Sequence, residues 1–128
     1  MMRHRRILIV DDDPELSSVI AECLGDRGHD CRVIDGLDMP EPDTWRWAEL
    51  AILDLRLSGR YDSTELLRGM EAIAPAPELI LSSGCDSGTL ESAMRTAREL
   101  GFTVRATLRK PFPVARLHAA VGTEAIAN

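Results

Sequence analysis

The sequence predicts an α/β fold in which a parallel sheet is covered on both faces by helices. Three observations carry that expectation. Short apolar runs alternate with stretches of helical periodicity about five times along the chain. Two of the runs, Ile7-Leu8-Ile9-Val10 and Leu50-Ala51-Ile52-Leu53, are apolar at every position, as strands buried on both faces require. The residues with chemistry to offer fall where such strands end: Asp11, Asp12 and Asp13; Asp54; Ser82 and Ser83; Lys110.

A chain of 128 residues supports one domain with one core and is too short for two. Its 45% apolar and 28% charged content is that of an ordinary globular protein, so no disordered or fibrous class is indicated. A formal charge of −6 argues against sequence-independent nucleic-acid binding by the domain as a whole. No stretch approaches the roughly 18 apolar residues of a membrane span. The basic start, Met1-Met2-Arg3-His4-Arg5-Arg6, resembles the opening of a signal peptide, but the apolar run behind it meets acid after four residues. Cys23, Cys31 and Cys85 are odd in number and form no CxxC, which points to neither a disulfide framework nor zinc. The expectation is a reduced, cytoplasmic protein. Lys110 is its only lysine.

Taken in order, the first strand runs into Asp13-Pro14, a helix opening with Asp as N-cap and Pro at the first helical position. Leu16, Val19, Ile20, Cys23 and Leu24 then recur at helical spacing as one buried stripe, with Gly25 and Gly28 as candidates to end it. Cys31-Arg32-Val33-Ile34 reads as a short second strand. Prolines 40 and 42 leave room for a helix of two turns or an irregular loop before Trp45 and Trp47, which are expected to cover the sheet. The third strand, Leu50 to Leu53, ends in Asp54; Ser58, Gly59 and Asp62 supply turn chemistry. A helix with Leu66, Leu67, Met70 and Ile73 inward stops at Pro75-Ala76-Pro77. Leu79-Ile80-Leu81 is a fourth strand. Asp86 or Ser87 caps a helix with Leu90, Met94, Ala97 and Leu100 inward, closed by Gly101. Residues 102–108 form an imperfect fifth strand. Arg109-Lys110-Pro111 follows, then a last helix from about Pro113 with Val114, Leu117 and Val121 at helical spacing. The domain is read as 1–121 and the tail as 122–128. His4, His29 and His118 lack metal-ligand spacing and are expected at the surface.

Ligands of open α/β sheets sit outside the carboxyl ends of the strands, where strand order reverses. Polar residues scattered for solubility have no reason to gather on that one edge. Clustered carboxylates suit Mg²⁺, which takes hard oxygen ligands and bridges to phosphate. A carboxylate can attack phosphorus, an ammonium pairs with phosphoryl oxygens, and hydroxyl and backbone N–H groups serve the rest. Phosphoryl transfer asks mainly for such positioning and charge.

Four elements, Ile7-Leu8-Ile9-Val10-Asp11-Asp12-Asp13-Pro14, Ala51-Ile52-Leu53-Asp54-Leu55-Arg56-Leu57, Ser83-Gly84 and Lys110-Pro111-Phe112, stand in order at the right strand ends. With them the chain resembles, over nearly its whole length, a response-regulator receiver domain of two-component signalling, the CheY-like family. The resemblance implies a flavodoxin-like, doubly wound sheet of five parallel strands in the order 2-1-3-4-5. It implies Asp54 as phosphoacceptor from a phosphohistidine of a sensor histidine kinase or a phosphotransfer protein. It implies Asp11, Asp12, Asp54 and the backbone carbonyl of Arg56 around Mg²⁺, with Asp11 acting largely through water. Ser83 would bond the phosphoryl group (Ser82 if the register slips by one), Lys110 would pair with a phosphoryl oxygen, and Asp13 would remain a cap. Such a domain catalyses its own phosphorylation and dephosphorylation without turning over an external substrate.

Three positions depart from the family pattern. Ser58 stands where Pro is usual, Asp62-Ser63 replaces Asp-Gly, and Thr107 occupies the place of an aromatic residue that reports phosphorylation to the surface. Arg95 and Arg98 on the fourth helix, Arg105 in the fifth strand and Arg116 on the last helix make that side comparatively basic, a candidate surface for an output partner. Two other readings compete. One is a receiver-like interaction module that signals without phosphorylation, which the missing aromatic favours. The other is a haloacid-dehalogenase-type phosphatase, whose first motif Asp11-x-Asp13 fits but Pro14-Glu15 does not continue. Cys85, two residues beyond Ser83, is a candidate to line the mouth of the site.

Overall fold

The computed structural model describes residues 4–55, 63–84 and 87–122. Strands and helices alternate as expected: β1 (Arg6–Val10), α1 (Pro14–Gly25), β2 (Asp30–Ile34), α2 (Pro42–Trp47), β3 (Leu50–Asp54), α3 (Ser63–Gly69), β4 (Glu78–Ser83), α4 (Ser87–Glu99), β5 (Val104–Arg109) and α5 (Val114–Val121). All strand pairs are parallel and the order is β2-β1-β3-β4-β5, the flavodoxin-like arrangement. The central strands are apolar throughout because helices cover both faces.

Alternation of side chains along each strand divides the core in two. Leu8, Val10, Ala51, Leu53, Leu79 and Leu81 face α2, α3 and α4 and pack with Trp45, Leu66, Leu67, Met70, Leu90 and Ala97. Ile7, Ile9, Leu50, Ile52, Ile80 and Leu108 face α1 and α5 and pack with Ile20, Leu24, Leu117 and Val121. Trp45 is fully enclosed, as expected of a residue covering the sheet. Trp47 is partly buried and carries the Arg32 guanidinium over its ring, 4.1 Å from the centroid. The proline-broken stretch yields only the six-residue α2.

Several local expectations require correction. On α1 the buried arc is Ser17, Ile20 and Leu24, while Val19 is 53% exposed. Ser17 is small enough to bring the helix close to β1, and its hydroxyl donates to the Asp11 carbonyl at 3.5 Å. That rotates the arc and carries Val19 to its solvent margin. Val114 is likewise exposed, whereas Leu117 and Val121 are buried as expected, with His118 and Ala120 beside them. His29 and His118 are buried rather than on the surface; only His4 is exposed. The His29 ring is an internal acceptor, taking the Arg5 N–H on Nδ1 at 3.1 Å. Cys23 and Cys31 are partly enclosed free thiols; burial, with the Asp30 charge, pushes the Cys31 thiol up to about 11, so it stays protonated. Arg56, Ser58, Gly59, Asp62, Cys85, Asp86 and residues 123–128 lie outside the described residues.

Candidate functional site

The site begins with strand parity. Ile7 and Ile9 are followed on the same face by Asp11, Leu50 and Ile52 by Asp54, Ile80 by Ser82, and Leu108 by Lys110. Four chemically active residues are therefore the outward continuation of the rows packed under α1 and α5. The ladders reach far enough to hold them there: Asp11 N–H donates to the Ile34 carbonyl at 3.1 Å, and Lys110 N–H to the Ser83 carbonyl at 2.9 Å.

The side chains meet. Lys110 Nζ lies 2.9 Å from Asp11 Oδ2 and 3.3 Å from Asp54 Oδ2. Asp11 and Asp54 are buried, Asp12 is half-buried, and the three carboxylates each offer an oxygen within 4.8 Å of the others. Asp11 Oδ1 also accepts the Asp13 N–H at 2.9 Å, which fixes the carboxylate plane. Burial opposes the charge on Lys110. The hydrogen bond to Asp11 and the charges of Asp54 and Asp11 outweigh it, so the ammonium is held above the usual lysine value. An apolar hollow of about 360 Å³ lined by Leu16, Lys110, Pro111 and Phe112 opens beside it.

Asp13 caps α1, with Oδ1 accepting the N–H groups of Glu15 at 3.1 Å and Leu16 at 3.2 Å. Its carboxylate thus serves the helix end, the capping role the sequence suggests.

The two serines separate. Ser82 is the register partner of Asp54, so the two project from the same face. Its Oγ is buried and has no hydrogen-bond partner among the described residues. Ser83 is also buried but follows Leu79 and Leu81 to the face covered by α3 and α4. The apolar run before them is uniform, so the sequence carries no alternation that tells their faces apart.

Thr107 is exposed and lines a groove of about 510 Å³ with Leu90, Glu91, Met94, Arg109 and Arg116. Arg95 and Arg98 lie on the adjoining surface of α4. Arg105 does not join them. Its Nε donates to the Ala120 carbonyl at 2.8 Å and its guanidinium pairs with Glu78 at 3.7 Å, which ties β5 to the end of α5.

No protein-family model matches the chain. Among characterised relatives, the nitrogen assimilation regulatory protein NtrX of Azorhizobium caulinodans is 32% identical over 113 residues, covering 87% of this chain and 24% of the relative. The DNA-binding response regulator MtrA of Mycolicibacterium smegmatis is 31% identical over 118 residues, 83% of this chain and 51% of the relative. The chain thus spans a quarter to a half of the length of these relatives. A solved CheY-like receiver domain from Methanospirillum hungatei superposes with a TM-score of 0.73 at 23% identity, covering 93% of this chain and 91% of that one. A parallel five-stranded sheet of this order, with clustered acid at its carboxyl edge, defines a flavodoxin-like α/β domain of the CheY-like type. The chain is a receiver domain of the response-regulator family. Among the described residues no helix is long and apolar enough to cross a membrane.

Proposed function

We propose that this receiver accepts a phosphoryl group on Asp54 from a phosphohistidine of a sensor histidine kinase or phosphotransfer protein, in the cytoplasm, and binds its output partner differently once modified. One observation carries the reading: Lys110, from the end of β5, bridges carboxylates borne by β1 and β3 at 2.9 and 3.3 Å. An Asp54 oxygen attacks phosphorus, the P–N bond to the donor imidazole breaks, and its electron pair returns to that nitrogen. Lys110 would exchange its Asp54 contact for a phosphoryl oxygen. Ser82, on the Asp54 face and with a buried hydroxyl that has no partner among the described residues, is our candidate to bond that group, with Ser83 the alternative.

Asp11, Asp12 and Asp54 would hold Mg²⁺. They are hard oxygen donors close enough together for one coordination sphere, and family resemblance adds the backbone carbonyl of Arg56. When bound, the ion supplies positive charge to phosphoryl oxygens. An aspartyl phosphate adds roughly −1.5 to −2 charge, which favours rearrangement of the segments at the ends of β4 and β5, beside Ser82 and Lys110. Thr107 cannot relay this by burying a ring, so the partner would read the groove over Leu90 and Met94 and its arginine rim directly.

Intact-mass measurement after incubation with Mg²⁺ and acetyl phosphate tests the proposal. One added phosphoryl mass is expected in the wild type and none in Asp54→Asn. An unlabelled wild type, under conditions that label another receiver, would overturn it. Partner binding that survives Asp54→Asn without Mg²⁺ affinity would select the phosphorylation-independent module instead.

A further inference from the structure

We propose that His29 is a pH-operated latch on the amino edge of the sheet, closing the corner between β1 and β2 when neutral and releasing it when protonated. This does not depend on the phosphoacceptor reading, since the carboxylate site lies at the opposite ends of the strands.

Arg5 immediately precedes β1 and His29 immediately precedes β2. The Arg5 N–H donates to His29 Nδ1 at 3.1 Å, and the Asp30 N–H returns to the Arg5 carbonyl at 3.0 Å. The imidazole therefore takes the place of a backbone acceptor at the first rung of the ladder. The His29 N–H donates to the Leu24 carbonyl at 3.2 Å, so the same residue fastens the end of α1 to this corner. Both Arg5 and His29 are 6% exposed. Because the donor is a backbone N–H, Nδ1 must carry the lone pair, and the neutral ring holds its proton on Nε2. A second proton, taken from solvent onto Nδ1, turns the acceptor into a donor facing another donor.

The charges around the ring do nothing to offset this. His4 and Arg5 approach along the strand, Arg27 from the turn and His118 from α5, and each disfavours a cationic ring. Glu78 on β4 is already shared between Arg5, at 4.0 Å, and Arg105, at 3.7 Å. Across the turn, the His4 ring stands 3.1 Å from where a side chain on Gly28 would begin, and Gly28 has φ +88°, so the turn has little room to adjust. Burial first, then Arg5, holds the imidazole below its ordinary value of 6.5. A lowered value in the folded state means that the latch contributes its full stability above 6.5 and loses it as pH falls through the folded value.

The test is nuclear magnetic resonance of the ¹⁵N-labelled wild type, following the His29 ring nitrogens and the exchange protection of the Arg5 amide together. Arg5 protection is expected to fall by about tenfold or more between about pH 7.5 and about pH 5, in step with ring protonation. His29→Asn keeps an acceptor oxygen without a titration and is expected to flatten that dependence. Constant Arg5 protection while His29 titrates, or titration at or above the ordinary imidazole range, would overturn the latch. If the variant does not fold, the two wild-type curves decide alone.

Discussion

Asp54 and Ser82 are register partners across the β3–β4 seam, and both leave the sheet on the face covered by α1 and α5. Ser83, one residue on, is turned to the other face. A one-residue difference in a strand is a difference of face, so the two adjacent hydroxyls start from opposite sides of the sheet and mutation can tell their roles apart.

Ser82→Ala is therefore expected to slow labelling of Asp54 by acetyl phosphate about tenfold or more, in line with losing a hydrogen-bond donor to developing charge. Ser83→Ala is expected to leave the rate within about twofold while altering stability slightly. Time courses of intact mass distinguish them, and the reverse ranking would assign the hydroxyl to Ser83.

Lys110 sits on the carboxylates that a divalent cation would use. Removing the ammonium by Lys110→Met leaves Asp11 and Asp54 facing one another and is expected to cost about 2 kcal/mol in chelator, less than a fully buried pair because the lysine is partly exposed. Mg²⁺ should restore much of that, raising the melting temperature more in the variant than in the wild type. Asp12→Asn should weaken the Mg²⁺ effect in either background. Differential scanning fluorimetry with and without Mg²⁺ reads both. The Lys110 charge is complete below the ordinary value of 10.5 and is lost only as pH rises through its raised folded value, so these effects hold at neutral pH.

Gly122 caps α5 with φ +76°, and the Arg105 guanidinium occupies the space a Cβ would need. Gly122→Ala is expected to destabilise by about 1–2 kcal/mol, from left-handed backbone and displacement of Arg105 from the Ala120 carbonyl. Adding Arg105→Ala should relieve the crowding but not the backbone penalty, so the double variant falls short of additivity. Urea denaturation of the four proteins completes that cycle.

Much of the fold was written plainly in the chain. Asp13-Pro14 announces the start of α1 through local chemistry alone, and the structure reproduces it bond for bond. The apolar runs before Asp11 and Asp54 mark central strands because both faces must be buried. Other features depend on partners distant in sequence. His29 reads as a surface residue until Arg5, just ahead of β1, supplies an N–H for it to accept, and Arg105 reads as part of a basic face until Glu78 and the Ala120 carbonyl claim its guanidinium.

The sequence by itself determined that acid, hydroxyl and ammonium groups gather at one edge of a parallel sheet, because apolar runs place strands and strand ends place loops. Only the tertiary structure decided which of them touch. Face and register are relations between strands, and a run apolar at every position, such as Leu79-Ile80-Leu81 before the two serines, leaves no trace of which side its next residue will take.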